Sequence, residues 1–125
     1  MKELAKKVAE VKYDGLITDI FPAIEVRGGI IKGGTSATLK RGTLLGRTVS
    51  DGTLAEYNGS SDSVKPFGIL CDDTVVGAEN VECAVYTAGC FDEDKIITKG
   101  SYQLTAADKD ELRMRNIVFK NAQKM

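Results

Sequence analysis

The chain contains no histidine and no tryptophan, only two prolines, and three cysteines among its 125 residues. Without histidine the usual general base near neutral pH is gone, along with the commonest zinc ligand, and every Ser-His or Cys-His nucleophile system is excluded. Cys71, Cys83 and Cys90 are odd in number and show no CxxC spacing, so neither a disulfide framework nor a zinc site is expected. They read as small core residues in a reducing compartment. No apolar run approaches the roughly 20 residues of a membrane span, and the Lys-rich start lacks the apolar stretch of a secretory signal. A soluble protein made in the cytosol is expected, with no membrane partner.

What is present suits one β-rich domain. Hydrophobic residues make up 42% and charged residues 28%, an ordinary balance that predicts folding rather than disorder. Thirteen glycines, with many Thr and Val, suggest short strands joined by tight turns. The length fits a single domain, and no internal repeat of solenoid or propeller length is visible. The net charge of −1 is unevenly spread. Residues 1–12 hold four Lys against two Glu, and 109–125 hold five Lys or Arg against two acids. The stretch 13–108 is left acidic, which disfavours a broad nucleic-acid surface.

Along the chain, Leu4, Val8 and Val11 recur at helical spacing beside Ala5 and Ala9, with Lys2, Lys6, Lys7 and Glu10 on the other side. So short a helix is marginal alone and calls for a partner surface. Residues 13–31 are apolar-rich but interrupted by Pro22 and by Gly28-Gly29, which predicts an extended arm and then a strand. Pro22 removes a backbone donor and places its surroundings on an edge, where partner strands can add. Lys40-Arg41-Gly42 predicts a turn between two strands. Asp51-Gly52 and Asn58-Gly59 predict hairpin or loop turns, with Tyr57 the one large residue between them. Pro66 suits the first position of a strand running to Cys71. Val81, Cys83 and Val85 alternate with Glu82, Ala84 and Tyr86 in a strand with one buried and one mixed face, and Gly89 suggests a bulge or corner. Thr105 followed by Asp108 resembles a capping box, predicting a helix from Ala106 to about Met114. Asn116 then breaks towards a last strand, Ile117 to Lys120.

The search for chemistry returns little. Asp72 and Asp73, or Asp92, Glu93 and Asp94, could be imagined as acid-base pairs or metal ligands, but adjacent acids in a strand point to opposite faces, and turn chemistry is the simpler reading. The Gly28–Gly34 segment lacks the order of a phosphate-binding loop. Lys40, Arg41 and Arg47 form a small basic cluster best read as a solvated turn. No catalytic, cofactor-binding or metal-binding residue can be named, and no cofactor is expected. A receptor- or glycan-binding module is the alternative class, although four Tyr and four Phe, thinly scattered, make a poor aromatic platform.

Three phrases in this order carry a family resemblance: Leu39-Lys40-Arg41-Gly42-Thr43-Leu44-Leu45-Gly46, Pro66-Phe67-Gly68-Ile69-Leu70-Cys71-Asp72-Asp73, and Ala84-Val85-Tyr86-Thr87-Ala88-Gly89-Cys90-Phe91. With Leu112-Arg113 before a closing strand that contains Ile117, the stretch from about residue 36 to 120 resembles the lambda head decoration protein D family of bacteriophages. Asn116 stands where that family often has Gly, and the Lys-rich segment 2–11 is longer than a simple arm.

The resemblance implies a mainly β, barrel-like domain of the β-tulip type, with one or two short helices and an extended N-terminal arm. Residues 1–25 would form the arm with its amphipathic helix, and 26–125 the decoration domain. It further implies a structural virion protein of a phage or prophage, made in the host cytoplasm. This protein would bind the outer surface of an expanded head as a homotrimer at threefold sites, and its partner would be the major capsid protein. The capsid-binding arm would comprise Tyr13, Leu16, Ile17, Ile20, Phe21, Pro22 and Ile24, and no enzymatic activity would follow.

Overall fold

The computed structural model describes residues 15–19, 22–34, 36–59, 61 and 63–120. The domain is mainly β, with 47% strand and 14% helix, as the composition predicts, and is built on a closed five-stranded barrel with one α-helix, the barrel-like class that the resemblance implied. The elements run β1 (Ile17–Asp19), β2 (Glu25–Ile31), β3 (Ala37–Leu39), β4 (Leu44–Thr48), β5 (Leu54–Glu56), β6 (Val64–Leu70), β7 (Thr74–Val76) and β8 (Val81–Phe91). Two 3₁₀ turns, Glu93–Lys95 and Lys99–Ser101, lead into α1 (Ala106–Met114) and β9 (Ile117–Phe119).

The barrel closes in the order β8-β2-β5-β4-β6 and back to β8. Each of its strands contributes one residue to a single buried cluster: Ile31, Leu54, Leu45, Leu70 and Val85. Strand side chains alternate between faces, so one inward position per strand is what a small barrel needs to fill its interior. Leu39 and Val76, from the separate β3–β7 pair, join that cluster and cover it. The neighbours in sequence, Leu44, Ile69, Ala84 and Tyr86, point to the opposite face. There they meet Leu16, Tyr57, Phe91, Leu112 and Ile117 in a second core beneath α1.

The mixed face expected of β8 is present, and its other face runs from half-buried to buried. Glu82 is exposed, but Ala84, Val85 and Tyr86 are all buried, because one face lines the barrel and the other lies beneath the second core. β8 is long enough to serve two sheets. Up to Ala88 it pairs with β2; from Gly89, at φ 148°, it pairs with β9, and its last residues pair with β1.

Local signals behave as their chemistry requires. Asp51 accepts from the Thr53 amide and hydroxyl at 3.0 and 2.8 Å, and Gly52 takes φ 77°, closing the β4–β5 hairpin. The Thr105 side chain accepts from the Asp108 amide while Asp108 accepts from the Thr105 amide, a complete capping box that starts α1 at Ala106. Asn116 has φ 66°, the left-handed conformation in which Gly is the ordinary occupant and Asn the usual substitute.

Two expectations need correcting. Pro66 is not the first residue of its strand: β6 starts at Val64, and Pro66 lies where the β4 register slips, with Leu45 opposite Gly68 and Gly46 opposite Pro66. A bulge tolerates the missing amide as well as a strand end does. Gly28-Gly29 does not interrupt the chain either. Both lie inside β2, paired with Ala84 and Cys83, and a Cβ on Gly29 would sit 2.6 Å from the Leu54 side chain.

Candidate docking edge

Of the residues expected in a capsid-binding arm, Tyr13, Ile20 and Phe21 lie outside the described residues. Leu16 does not project from the body: it is 2% exposed and part of the core beneath α1. Ile17 and Ile24 pack against the same core, and Pro22 is half-buried. The chain is thus built into the domain well before residue 26, where the body was expected to start. The physical reason is that these apolar side chains find their nearest dry surface on their own domain.

Several contacts tie this entry in place. Ile17 pairs with Phe91 and Asp19 with Cys90, with an irregularity between them. The Asp92 amide donates to the Leu16 carbonyl at 2.8 Å, and the Thr18 hydroxyl lies 3.4 Å from Cys90 Sγ. Lys120 Nζ donates to Asp19 Oδ2 at 2.9 Å, joining the end of β9 to β1 across β8. Among the described residues β1 has β8 as its only strand neighbour, so its outer side is a sheet edge. An edge strand presents backbone donors and acceptors to which another chain can pair.

The acidic groups serve the fold. Asp73 accepts from the Arg41 amide at 2.8 Å and faces Lys40 Nζ at 3.8 Å. Asp92 is 5% exposed and caps the first 3₁₀ turn through the Asp94 amide. Glu93 pairs with Lys109 at 2.7 Å. Among the described residues no group of three or more His, Cys, Asp or Glu could hold a metal ion. No helix among them is long and apolar enough to cross a membrane.

The expected basic cluster is divided by the fold. Lys40 stays at the surface beside Asp73. Arg41 turns in, donating from Nη1 to the Cys71 carbonyl at 3.0 Å and to the Tyr86 hydroxyl at 2.7 Å, with its guanidinium 5.4 Å from the Tyr86 ring centroid. Burial pushes the Tyr86 phenol up to about 12 despite the Arg41 hydrogen bond. Arg47 lies beside the Gly52 turn at one end of the barrel.

One buried constellation was legible in the sequence only through its capping box; the two tyrosine donors to Asp108 escaped the reading. Asp108, 4% exposed, accepts from Tyr57 Oη and from Tyr102 Oη, each at 2.5 Å, as well as from the Thr105 amide. Burial alone would raise this carboxyl, but the bonds from Tyr102, Tyr57 and Thr105 outweigh it and hold the group below its ordinary value. With every donor supplied by the fold, the carboxylate is saturated and has a structural role. For the tyrosine donors the signal in the sequence was Tyr57, an aromatic residue stranded in a polar loop.

On the outer face of β2 and β8 runs an open groove of about 610 Å³, lined by Ile30, Thr74, Glu82, Cys83 and Ala84 among others. Ile30 is 45% exposed there, and nearby Val75 on β7 is 73% exposed. Neither a family model nor a curated protein matches the chain.

Proposed function

We propose that the chain is a structural head decoration protein that clips onto the outside of an expanded phage capsid and reinforces it. The observation that carries this reading is where the chain enters the fold: it arrives through β1, at the edge of a sheet. The preceding segment, residues 1–14, has an amphipathic Lys-rich pattern suited to a partner surface. A β-rich body with an N-terminal lead beside a terminal strand suits strand addition to a capsid protein, in which backbone hydrogen bonds supply affinity. Three copies acting together at a threefold site would raise avidity by roughly 10²–10⁴ without new contacts.

The placement of Leu16 and Ile17 narrows the part of the chain assigned to docking. Their side chains face the core of their own domain, so capture rests on residues 1–14. The glycan-binding alternative is the weaker reading, because none of the six described aromatic side chains is fully exposed.

The test is binding to purified expanded heads stripped of decoration protein, read by co-sedimentation and cryo-imaging. The full chain binds at threefold positions, and a variant lacking residues 1–14 stays folded by circular dichroism but no longer co-sediments. Undiminished binding of that variant, or no binding by the full chain, overturns the assignment. Cutting back to residue 23 is a poorer test, since it removes Leu16 and β1 from the core.

A further inference from the structure

The open end of the barrel carries a charge arrangement with no structural use. Strand periodicity puts Arg27, Gly29 and Ile31 on one face of β2, and Gly29 faces Leu54 and Val85 in the barrel interior. On β4, Arg47 likewise follows Leu45 on the inward face. Both arginines therefore end inward-pointing rows, where the barrel opens to solvent. Arg115, just past α1, supplies a third guanidinium to the same pocket of about 420 Å³. Leu54 and Phe67, both associated with the interior cluster, provide its apolar part.

None of the residues lining this pocket is acidic. Among the described residues no side-chain hydrogen bond or ion pair engages Arg27, Arg47 or Arg115. Arg47 stands directly opposite Lys65 on β6, and like charges across a strand pair are destabilising. A fold that neutralises Lys40, Lys109 and Lys120 locally thus leaves three guanidinium groups unpaired around one concavity.

The geometry points to the barrel mouth as a binding site for clustered carboxylates, with an acidic peptide segment as the ligand. Guanidinium forks donate paired hydrogen bonds to carboxylates, and the half-buried Phe67 surface suits the methylenes of Glu side chains. A free polycarboxylate presents the same chemistry, so the two sources have to be separated by experiment. This site does not depend on how residues 1–14 are used.

The test is calorimetry and amide NMR of the full chain at low and high salt. The probes are a capped hexaglutamate peptide, citrate and inorganic phosphate. Hexaglutamate is expected to bind saturably and shift amides around Arg27, Gly52 and Arg115. Arg27→Gln, Arg47→Gln and Arg115→Gln should each weaken it about three- to tenfold, the range for partly exposed charged contacts. Lys99→Gln, which does not line the pocket, leaves binding unchanged. Arg47→Gln also melts no lower than the parent, which separates lost binding from lost folding. Binding of the peptide well above citrate supports a protein ligand; equal binding supports the site and assigns it to free polycarboxylates. No saturable binding, affinity that survives the triple Arg→Gln variant, or tighter binding of phosphate than of carboxylates overturns the proposal.

Discussion

Tyr57 and Asp108 stand 51 positions apart in sequence, yet the tyrosine hydroxyl donates to the carboxylate at 2.5 Å inside the domain. The bond fastens the loop after β5 to the first turn of α1, and Tyr102 adds a second donor from the segment between them. The Tyr57 and Tyr102 rings meet edge to face with centroids 6.0 Å apart. One carboxylate thus serves as helix cap and as the anchor of two aromatic side chains.

Removing that carboxylate is expected to hurt more than removing either donor. Asp108→Ala strands two hydroxyls and a helix cap and should cost about 2–4 kcal/mol, whereas Tyr57→Phe should cost about 1–2 kcal/mol. Urea unfolding of both variants, at unchanged m-value, measures the difference. Equal midpoints for Asp108→Ala and the parent would show that the bonds contribute nothing.

The same group should make the protein acid-labile in a defined window. Its folded-state value lies below the ordinary 3.8, so its contribution is fully present above that value. The contribution drains away as pH falls through the lower folded-state value. Unfolding midpoints should hold from neutral pH to about pH 5 and fall below about pH 4. Asp108→Asn should flatten part of that fall, and an unaltered acid limb in this variant would assign the lability elsewhere.

Cys71 and Cys83 should be sluggish nucleophiles. Burial pushes Cys71 up to about 12, with the charge of Asp72 adding to the effect, and burial pushes Cys83 up to about 11. At pH 8 the thiolate fraction of Cys83 is then on the order of one in a thousand. Iodoacetamide on the native chain should label Cys83 slowly and Cys71 hardly at all, while urea-unfolded protein labels both quickly. Mass spectrometry of timed samples decides it.

Two glycines separate packing from backbone effects. A Cβ on Gly68 would come within 2.5 Å of both the Tyr86 carbonyl oxygen and Val85 Cγ1, so Gly68→Ala should destabilise by about 1–3 kcal/mol. Gly28 has open space around its Cβ position and sits mid-strand, so Gly28→Ala should be neutral or stabilising by up to about 1 kcal/mol. Thermal melts that rank the two variants in the opposite order would contradict this account of the barrel.

The readings that held were those whose causes lie within a few residues. Thr105 and Asp108 announced α1, Asp51-Gly52 announced the β4–β5 turn, and Asn116 marked the break before β9. The readings that failed joined residues by adjacency. Lys40, Arg41 and Arg47 looked like one basic cluster, but a turn and a strand send them to three different places. Leu16 looked like an arm residue because nothing local reveals that Leu112 and Ile117 lie beside the same core.

The amino-acid order alone determined the β-rich class, the helix with its cap, the turns and the lack of histidine-based chemistry, because each depends on short-range sterics or on composition. Closure of the barrel, the burial of Leu16, the saturation of Asp108 and the gathering of Arg27, Arg47 and Arg115 were decided only in three dimensions. Each needs segments distant in sequence to meet, and such meetings are set by which strand edges pair and which faces can be dried together.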